Sequence, residues 1–547
     1  MGQFEDVESA SESAILVGLP PSNRAVVGRL CFDPDDGISL QLLDQVSLAE
    51  TLTRAQVHFP SVLGQLVNGP RVTLVDATVA NTNFGAGGFA DVRIIANQLL
   101  VGIHLSDPAV RSFDEVRVAL TGLNEWFGVS PVTWSLEELP PPETGRKATV
   151  TCRHLPRFAF SPVSGGPSLE SEQVISPSIH LPHRGSIANQ FELCLRPRAP
   201  FGLEQCVFEL FRLQALMSIL CGHQVYYKHA RLFLHGVEGA DRQRNVVTYM
   251  QRFARPTKEA KKFRVDEVLL PLPLIRESLP SLWCTWTERY EQYRSAVELF
   301  TSTEMFGGQL LNFQLLAIMQ ALETFHRNRF GGTYAEEEDY QRIAGVLAAA
   351  IPATTAADLR SALKAKLKYG NEYSLRKRLR LLADGLPGRA SGGVGALIHP
   401  SLGEFLSRSV DTRNYLTHYT AELETVAFRD ADLYWATRLL RWFFVAVLLN
   451  DMGLPEDQLV DALTRAGDLS HARESLTRPG PPSSIVEEVG PPAREPPSAA
   501  APAAESPAAP VHATASPSSA TEAVAAEATG DRPAQGAAPP PGTTGEH

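Results

Sequence analysis

The chain has 547 residues, 20% charged and 44% hydrophobic, with 40 Gly, 40 Pro and a net charge of −11. Single cores rarely serve so long a chain, so more than one domain is expected. Residues 1–13 hold four acids and no base, and residues 478–547 hold eight acids and three arginines, which leaves 14–477 at −2. The body is thus nearly neutral, and the overall acidity argues neither for nor against a nucleic-acid partner. The acidic start has neither the basic nor the apolar region of a signal peptide. The greasiest run, 442–450, is nine uncharged residues, far short of the roughly 20 needed to span a bilayer. Six cysteines at irregular spacings suit free thiols in a reducing compartment. The expectation is a soluble cytoplasmic protein with no membrane partner.

From 14 to 280 the sequence reads as short β-rich segments broken by Gly, Pro and Asn: 25–32 (AVVGRLCF), 71–76 (RVTLVD), 92–105, 147–153, 225–233 and 245–253. Alternating β-branched residues between turn residues are the strand signal. Helical spacing interrupts it at 113–127 and 204–218. From 281 to 475 the period changes to 3.6. Segment 309–329 aligns Leu311, Leu315, Ile318, Leu322 and Phe325 on one face, and 336–350, 356–368, 373–384, 407–424, 430–451 and 456–465 follow. These segments predict a helical bundle. The break at 385–400 (with GRASGGVG) reads as a mobile loop. Beyond 476, Ala and Pro dominate; 33 of the 70 residues from Arg478 to the end are one or the other, and Leu and Phe are absent. That tail and residues 1–13 read as disordered. The fold class is therefore α+β in two domains, a β-rich N-terminal domain and an all-α bundle, followed by a disordered tail.

Several chemical motifs fail. FGAGGF at 84–89 lies between strand-like runs with no helix behind it to complete a phosphate site. Cys221, His223, His229 and His235 match no zinc spacing, so neither a metal nor any other cofactor is expected. Two basic clusters stand out. Residues 360–380 hold eight Lys or Arg against Glu372, among them Arg376, Lys377, Arg378 and Arg380, and 252–264 hold six against Glu259. Each reads either as a patch that holds RNA phosphates or as a solvated helix face.

The remaining candidate is DTRNYLTHY at 411–419. At about 100° per residue, Arg413, Asn414 and His418 share less than half of a helix circumference. Imidazole changes protonation near neutral pH, so His418 suits removal of a ribose 2′-hydroxyl proton. Arg413 offers a permanently charged planar fork to the phosphate, and Asn414 suits orienting either group or the substrate. If Asp411 caps the helix, Arg413 falls in the first turn, where backbone dipoles favour a phosphate. Arg followed by four to six residues and His also occurs by chance at Arg465–His471, without the Asn.

An RNxxxH motif on a late helix of a bundle resembles the HEPN superfamily. More narrowly, the arrangement is similar to the ApeA-like proteins of bacterial anti-phage defence, which join a large β-rich N-terminal domain to a C-terminal HEPN domain. Supporting segments are 286–300 (WTERYEQYRSAVELF), 316–327 (LAIMQALETFHR) and 373–382 (YSLRKRLRLL). The resemblance implies a metal-independent endoribonuclease that leaves 2′,3′-cyclic phosphate and 5′-hydroxyl ends, with Arg413, Asn414 and His418 as its catalytic residues. It also implies a homodimer or higher homo-oligomer with a composite site, an RNA substrate with tRNA among the candidates, and growth arrest released by a phage-derived trigger. Glu323 is the one further residue expected near the motif, without a catalytic role. The alternative from another class is a non-catalytic HEPN scaffold that binds RNA or a partner protein. A third reading is a metal-dependent nuclease built on the Cys221/His223 region.

Overall fold

The computed structural model describes residues 11–478, except 20–23, 34–35, 46–57, 68, 85–88, 108, 111, 140–144, 163–164, 181–183, 238–245, 252–263, 306–309 and 389–392. The chain divides into two units, Met1–Glu488 and Val489–His547, and the second lies outside the described residues, as does most of the 252–264 basic cluster. The disorder expected of residues 1–13 is corrected at its end, where Ser11 to Ser13 open a strand, while residues 1–10, the tail beyond 478 and the heart of the predicted loop at 385–400 fall outside the described residues.

The N-terminal half is built from strands β1 (Ser11–Leu19), β2 (Arg24–Asp33), β3 (Gly37–Gln45), β4 (His58–Leu66), β5 (Arg71–Phe84), β6 (Phe89–Val101) and β7 (Phe113–Leu120). After helix α1 (Leu123–Phe127) come β8 (Val132–Glu138), β9 (Arg146–Cys152), β10 (Ala159–Phe160), β11 (Ser168–His180) and β12 (Arg184–Arg196). Helix α2 (Leu203–Cys221), β13 (Tyr227–Leu234) and β14 (Val246–Gln251) complete it. Twelve strands form one sheet in the order β10-β11-β12-β7-β13-β14-β6-β3-β2-β1-β4-β5. Because β6 also pairs with β5, strands β1–β6 close into an antiparallel barrel. Closure removes the free edges of that part of the sheet. Alternate positions such as Leu30, Ile38, Leu40, Val72 and Leu74 are wholly buried. The run at 84–89 lies between strands β5 and β6, which pair up to Phe84 and Ala90, and its residues 85–88 lie outside the described residues.

One predicted helical stretch is corrected. Residues 113–120 are the strand β7 in the middle of the sheet, and only Leu123–Phe127 is helical. Both faces of β7 are covered, so its apolar residues do not alternate, and a strand buried on both sides mimics a helix in periodicity.

The C-terminal half runs through α3 (Leu272–Ile275), α4 (Leu279–Met305), α5 (Leu311–Phe330), α6 (Glu337–Ala349), α7 (Ala357–Tyr369) and α8 (Leu375–Asp384). It continues with α9 (Val394–Ile398), α10 (Leu402–His418), α11 (Ala421–Glu424), α12 (Asp430–Asp451), α13 (Glu456–Arg465) and α14 (Gly467–Thr477). At its centre is α12, whose run from Leu439 to Leu449 is buried throughout. The chance hit at His471 lies on α14, where the ring meets the edge of Trp435.

The two halves share a core. Trp283 and Trp286 of α4 are fully buried, and their indole N–H groups donate to Pro167 O (3.0 Å) and Arg212 O (3.2 Å) of the N-terminal half. From α12, Arg441 donates to Gly222 O at 2.6 Å. Gly222 ends α2 at φ +80°, and a β-carbon there would sit 2.9 Å from Leu269 Cβ, so glycine is needed for both conformation and space. The segment around 270–285 is thus a packed junction.

Candidate functional site

The helix α10 is anchored by Phe405, Leu406, Val410 and Leu416, each buried. Burying a side chain of that kind stabilises by about 1.5–3 kcal/mol, so the position of the helix does not depend on its polar face. The small polar residues on the buried side are satisfied locally. Thr412 Oγ donates to Arg408 O at 2.8 Å and accepts from Phe428 N–H at 2.9 Å, which pins the following loop to the helix.

The last two turns of the helix carry the motif. Arg413 and Asn414 are half-buried and His418 is exposed. Arg413 Nη1 donates to Asn414 Oδ1 at 3.1 Å, so the amide holds the guanidinium. Two residues upstream, Asp411 accepts from Arg376 of α8 at 2.7 Å. His418 is the last residue of α10, and Tyr419 caps the helix at φ +52° with its N–H on Tyr415 O. Tyr419 is 64% exposed and meets Tyr415 edge-on at 5.4 Å. An arginine held by an amide, on the same helix end as an exposed imidazole and two tyrosine rings, offers groups of the kind that bind a phosphate and move a proton.

The expected cap at Asp411 is corrected. The helix starts at Leu402, so Arg413 lies near its C-terminal end, where carbonyls rather than N–H groups face outward. Positive charge for a phosphate must therefore come from side chains. The true start is masked in the sequence: Pro400 stands just before it and Gly403, a poor helix former, lies in its first turn, so both look like the end of a loop.

The basic cluster at 360–380 divides into different roles. Arg378 is 1% exposed and is corrected as an RNA contact. It donates to Gly331 O (2.6 Å), Tyr373 O (3.0 Å) and His326 Nδ1 (3.1 Å). Arg376 is half-exposed but paired with Asp411. Lys377 lies over the rings of Tyr373 (3.9 Å) and Tyr334 (4.4 Å). Arg360 donates to Thr355 O at 3.0 Å in the α6–α7 loop. Arg380 is exposed, as are Lys364, Lys366 and Lys368. Arg264, at the edge of the other cluster, pairs with Asp266.

His326 is the neutral partner of Arg378. Burial pushes its pKa down to about 4, and the guanidinium beside it adds to the shift. Sequence reasoning missed this pair, although the signal was there: Leu375, Arg378, Leu379 and Leu382 recur at i, i+3, i+4 and i+7 on α8. His326 also lines a cavity of about 470 Å³ between α5, α8 and α12, with Phe325, Leu382, Val447 and Asp451. None of the motif residues lines it. Glu323 takes Arg327 at 3.2 Å, and Arg327 in turn takes Glu372 at 2.7 Å.

The metal-type residues of the N-terminal half are not gathered. Cys221 is fully buried with its thiol pushed far up by desolvation, while His229 holds Glu192 at 2.8 Å. Among the described residues, no group of three or more His, Cys, Asp or Glu is placed to hold a metal ion. Nor is any described helix long and apolar enough to cross a membrane.

Two families match the chain. The one described as ApeA N-terminal domain 1 matches residues 16–286, and the one described as Apea-like HEPN matches 316–458. No curated protein and no solved structure matches it. The first match covers the barrel, the extended sheet and the tryptophan junction, and the second covers the bundle from α5 to α13 with α10 inside it. The β-rich half and the helical half carrying Arg413, Asn414 and His418 together make the chain a member of the ApeA-like HEPN family.

Proposed function

We propose that this HEPN-containing anti-phage defence protein is a metal-independent endoribonuclease, with Arg413, Asn414 and His418 as its catalytic group. The observation that carries the reading is the hydrogen-bonded Arg413–Asn414 pair on the same helix end as the exposed His418, in an Apea-like HEPN. His418 removes the proton of a ribose 2′-hydroxyl, and the alkoxide attacks the adjacent phosphorus in line. The P–O5′ bond breaks, giving a 2′,3′-cyclic phosphate and a 5′-hydroxyl. The proton taken by the histidine balances the one the departing oxygen gains, so the step consumes neither water nor a metal. Arg413 stabilises the charge that builds on the phosphoryl oxygens, and Asn414 fixes its orientation. Two copies bring their motifs to one composite site, with RNA lying across Arg380 and the exposed face of α8. Cleavage begins when a phage-derived cue, read by the N-terminal half in the cytoplasm, releases the site and arrests growth.

The test is incubation of the purified full chain with total RNA in EDTA, followed by mapping of new ends. Cyclic phosphate ends are expected, and they disappear in Arg413→Ala and His418→Ala while both variants keep the wild-type melting temperature. RNA binding without cleavage would replace the enzyme by a scaffold. Cleavage abolished by EDTA would replace it by a metal-dependent nuclease.

A further inference from the structure

The helices α6 and α7 form an antiparallel hairpin between α5 and α8, and neither buries a single residue. They meet through Tyr340, Ala344 and Ala348 on α6 and Arg360 and Leu367 on α7, the positions that are not fully exposed. The Tyr340 hydroxyl donates to Leu367 O across that seam. Beside the seam, aliphatic side chains stand in water. Val346 is 67% exposed, Ile343 51% and Leu347 49%, and on α7 Leu359 is 55% exposed.

Helical geometry gathers these residues on one side. At about 100° per residue, Ile343, Val346 and Leu347 are rotated away from the seam by about 60–160° in one sense. Leu359 and Leu363 are rotated by about 50–90° in the same sense on α7. In an antiparallel pair, equal senses of rotation reach the same face of the hairpin. The charged ends of the helices continue that face. Asp339 lies in the first turn of α6 and Lys366 in the last turn of α7, at the same level near the base. Asp339 is engaged with Arg342, an exposed neighbour on its own helix.

We infer that this face is where the arms of two copies of the chain pack together, as a four-helix bundle. An exposed apolar face of this kind marks an interaction surface. A two-fold axis parallel to the arm lays α6 of one copy over α7 of the other, so Asp339 of each meets Lys366 of the other while the aliphatic residues interdigitate. The surface is complementary to itself, as a symmetric interface requires. An RNA backbone fits it poorly, because half of its charged rim is acidic. The C-terminal residues from 478 onward contain no Leu, Phe, Met, Trp or Tyr and only one Ile and a few Val, so they offer little with which to fill it. The inference concerns association alone and does not rest on the nuclease reading.

Sedimentation velocity of the full chain without RNA tests it. Wild type forms a dimer, and Val346→Glu, at an exposed site that the fold does not need, raises the dissociation constant by about tenfold or more. Asp339→Lys and Lys366→Asp each weaken the dimer, and an equimolar mixture of the two regains it, because both crossed contacts then join opposite charges. Rescue by mixing separates contact between chains from any effect within one arm. A dimer equally tight in Val346→Glu overturns the proposal, as does a mixture that fails to associate. A chain monomeric at every concentration, whose arm is instead protected by added RNA or anionic vesicles, overturns it in favour of that occupant.

Discussion

His326 and Arg378 show how one residue decides the meaning of its neighbours. As an obligate donor, Arg378 makes His326 Nδ1 an acceptor, so a protonated His326 would set two cations 3.1 Å apart. The folded protein therefore keeps His326 neutral down to about pH 4, whereas an unfolded chain protonates it near the usual histidine value of about 6.5. Between those values the unfolded state binds more protons, so stability falls as the pH is lowered from about 6.5 to about 4, by at most about 3 kcal/mol. His326→Asn keeps an acceptor for Arg378 without titrating. Urea denaturation at pH 7 and pH 5 should show a smaller loss for the variant than for wild type; equal losses would assign the pH dependence to other groups. At this scale the sequence placed Arg413, Asn414 and His418 on one helix side from spacing alone. It placed Arg378 on the surface, because type and charge say nothing about which face of α8 meets α5.

Helix ends decide what the motif helix can offer. Nine residues ahead of Asp411, five of them ahead of the predicted segment 407–424, belong to α10, and the extension moves the motif from the N-terminal to the C-terminal end. Tyr419 then closes the helix in a left-handed conformation, which a β-carbon disfavours. The tyrosine is kept there with its ring exposed beside His418, where glycine is the usual cap. Replacing the ring and the β-carbon separately isolates that strain. Tyr419→Gly should be more stable than Tyr419→Ala by about 1 kcal/mol in thermal or urea unfolding. Equal stability would mean that the cap relaxes once the ring is gone. Helices with strong 3.6 periodicity, such as α5, α6 and α12, were legible within a few residues. The strand β7 was not, since burial on both faces erases the alternation that identifies a strand.

At the scale of the molecule, the tryptophans of α4 join what composition divides. Trp283 and Trp286 fill the space between the sheet and the bundle, and each donates to a carbonyl of the other half. Arg212 lies within 5.7–5.8 Å of the rings of Phe208, Trp283 and Tyr290 and pairs with Glu209 at 2.5 Å, so the same seam holds a buried ion pair. Trp283→Ala should destabilise by about 3–5 kcal/mol, and the sheet and the helices should still melt in one transition. Two separate transitions, followed by far-ultraviolet circular dichroism and tryptophan fluorescence, would show halves that fold independently. By itself the sequence determined the order of a strand-rich half and a helical half, and the RNxxxH side chains proposed to carry the chemistry. Those follow from periodicity and spacing, which are local properties of the chain. Only the tertiary structure decided that β6 closes a barrel, that Arg378 is interior, that the motif ends its helix and that the α6–α7 arm is left uncovered. Each of these depends on which segment packs against which face, and pairings across some fifty residues, such as Ile38 with Ala96 or His326 with Arg378, leave no periodic trace in the sequence.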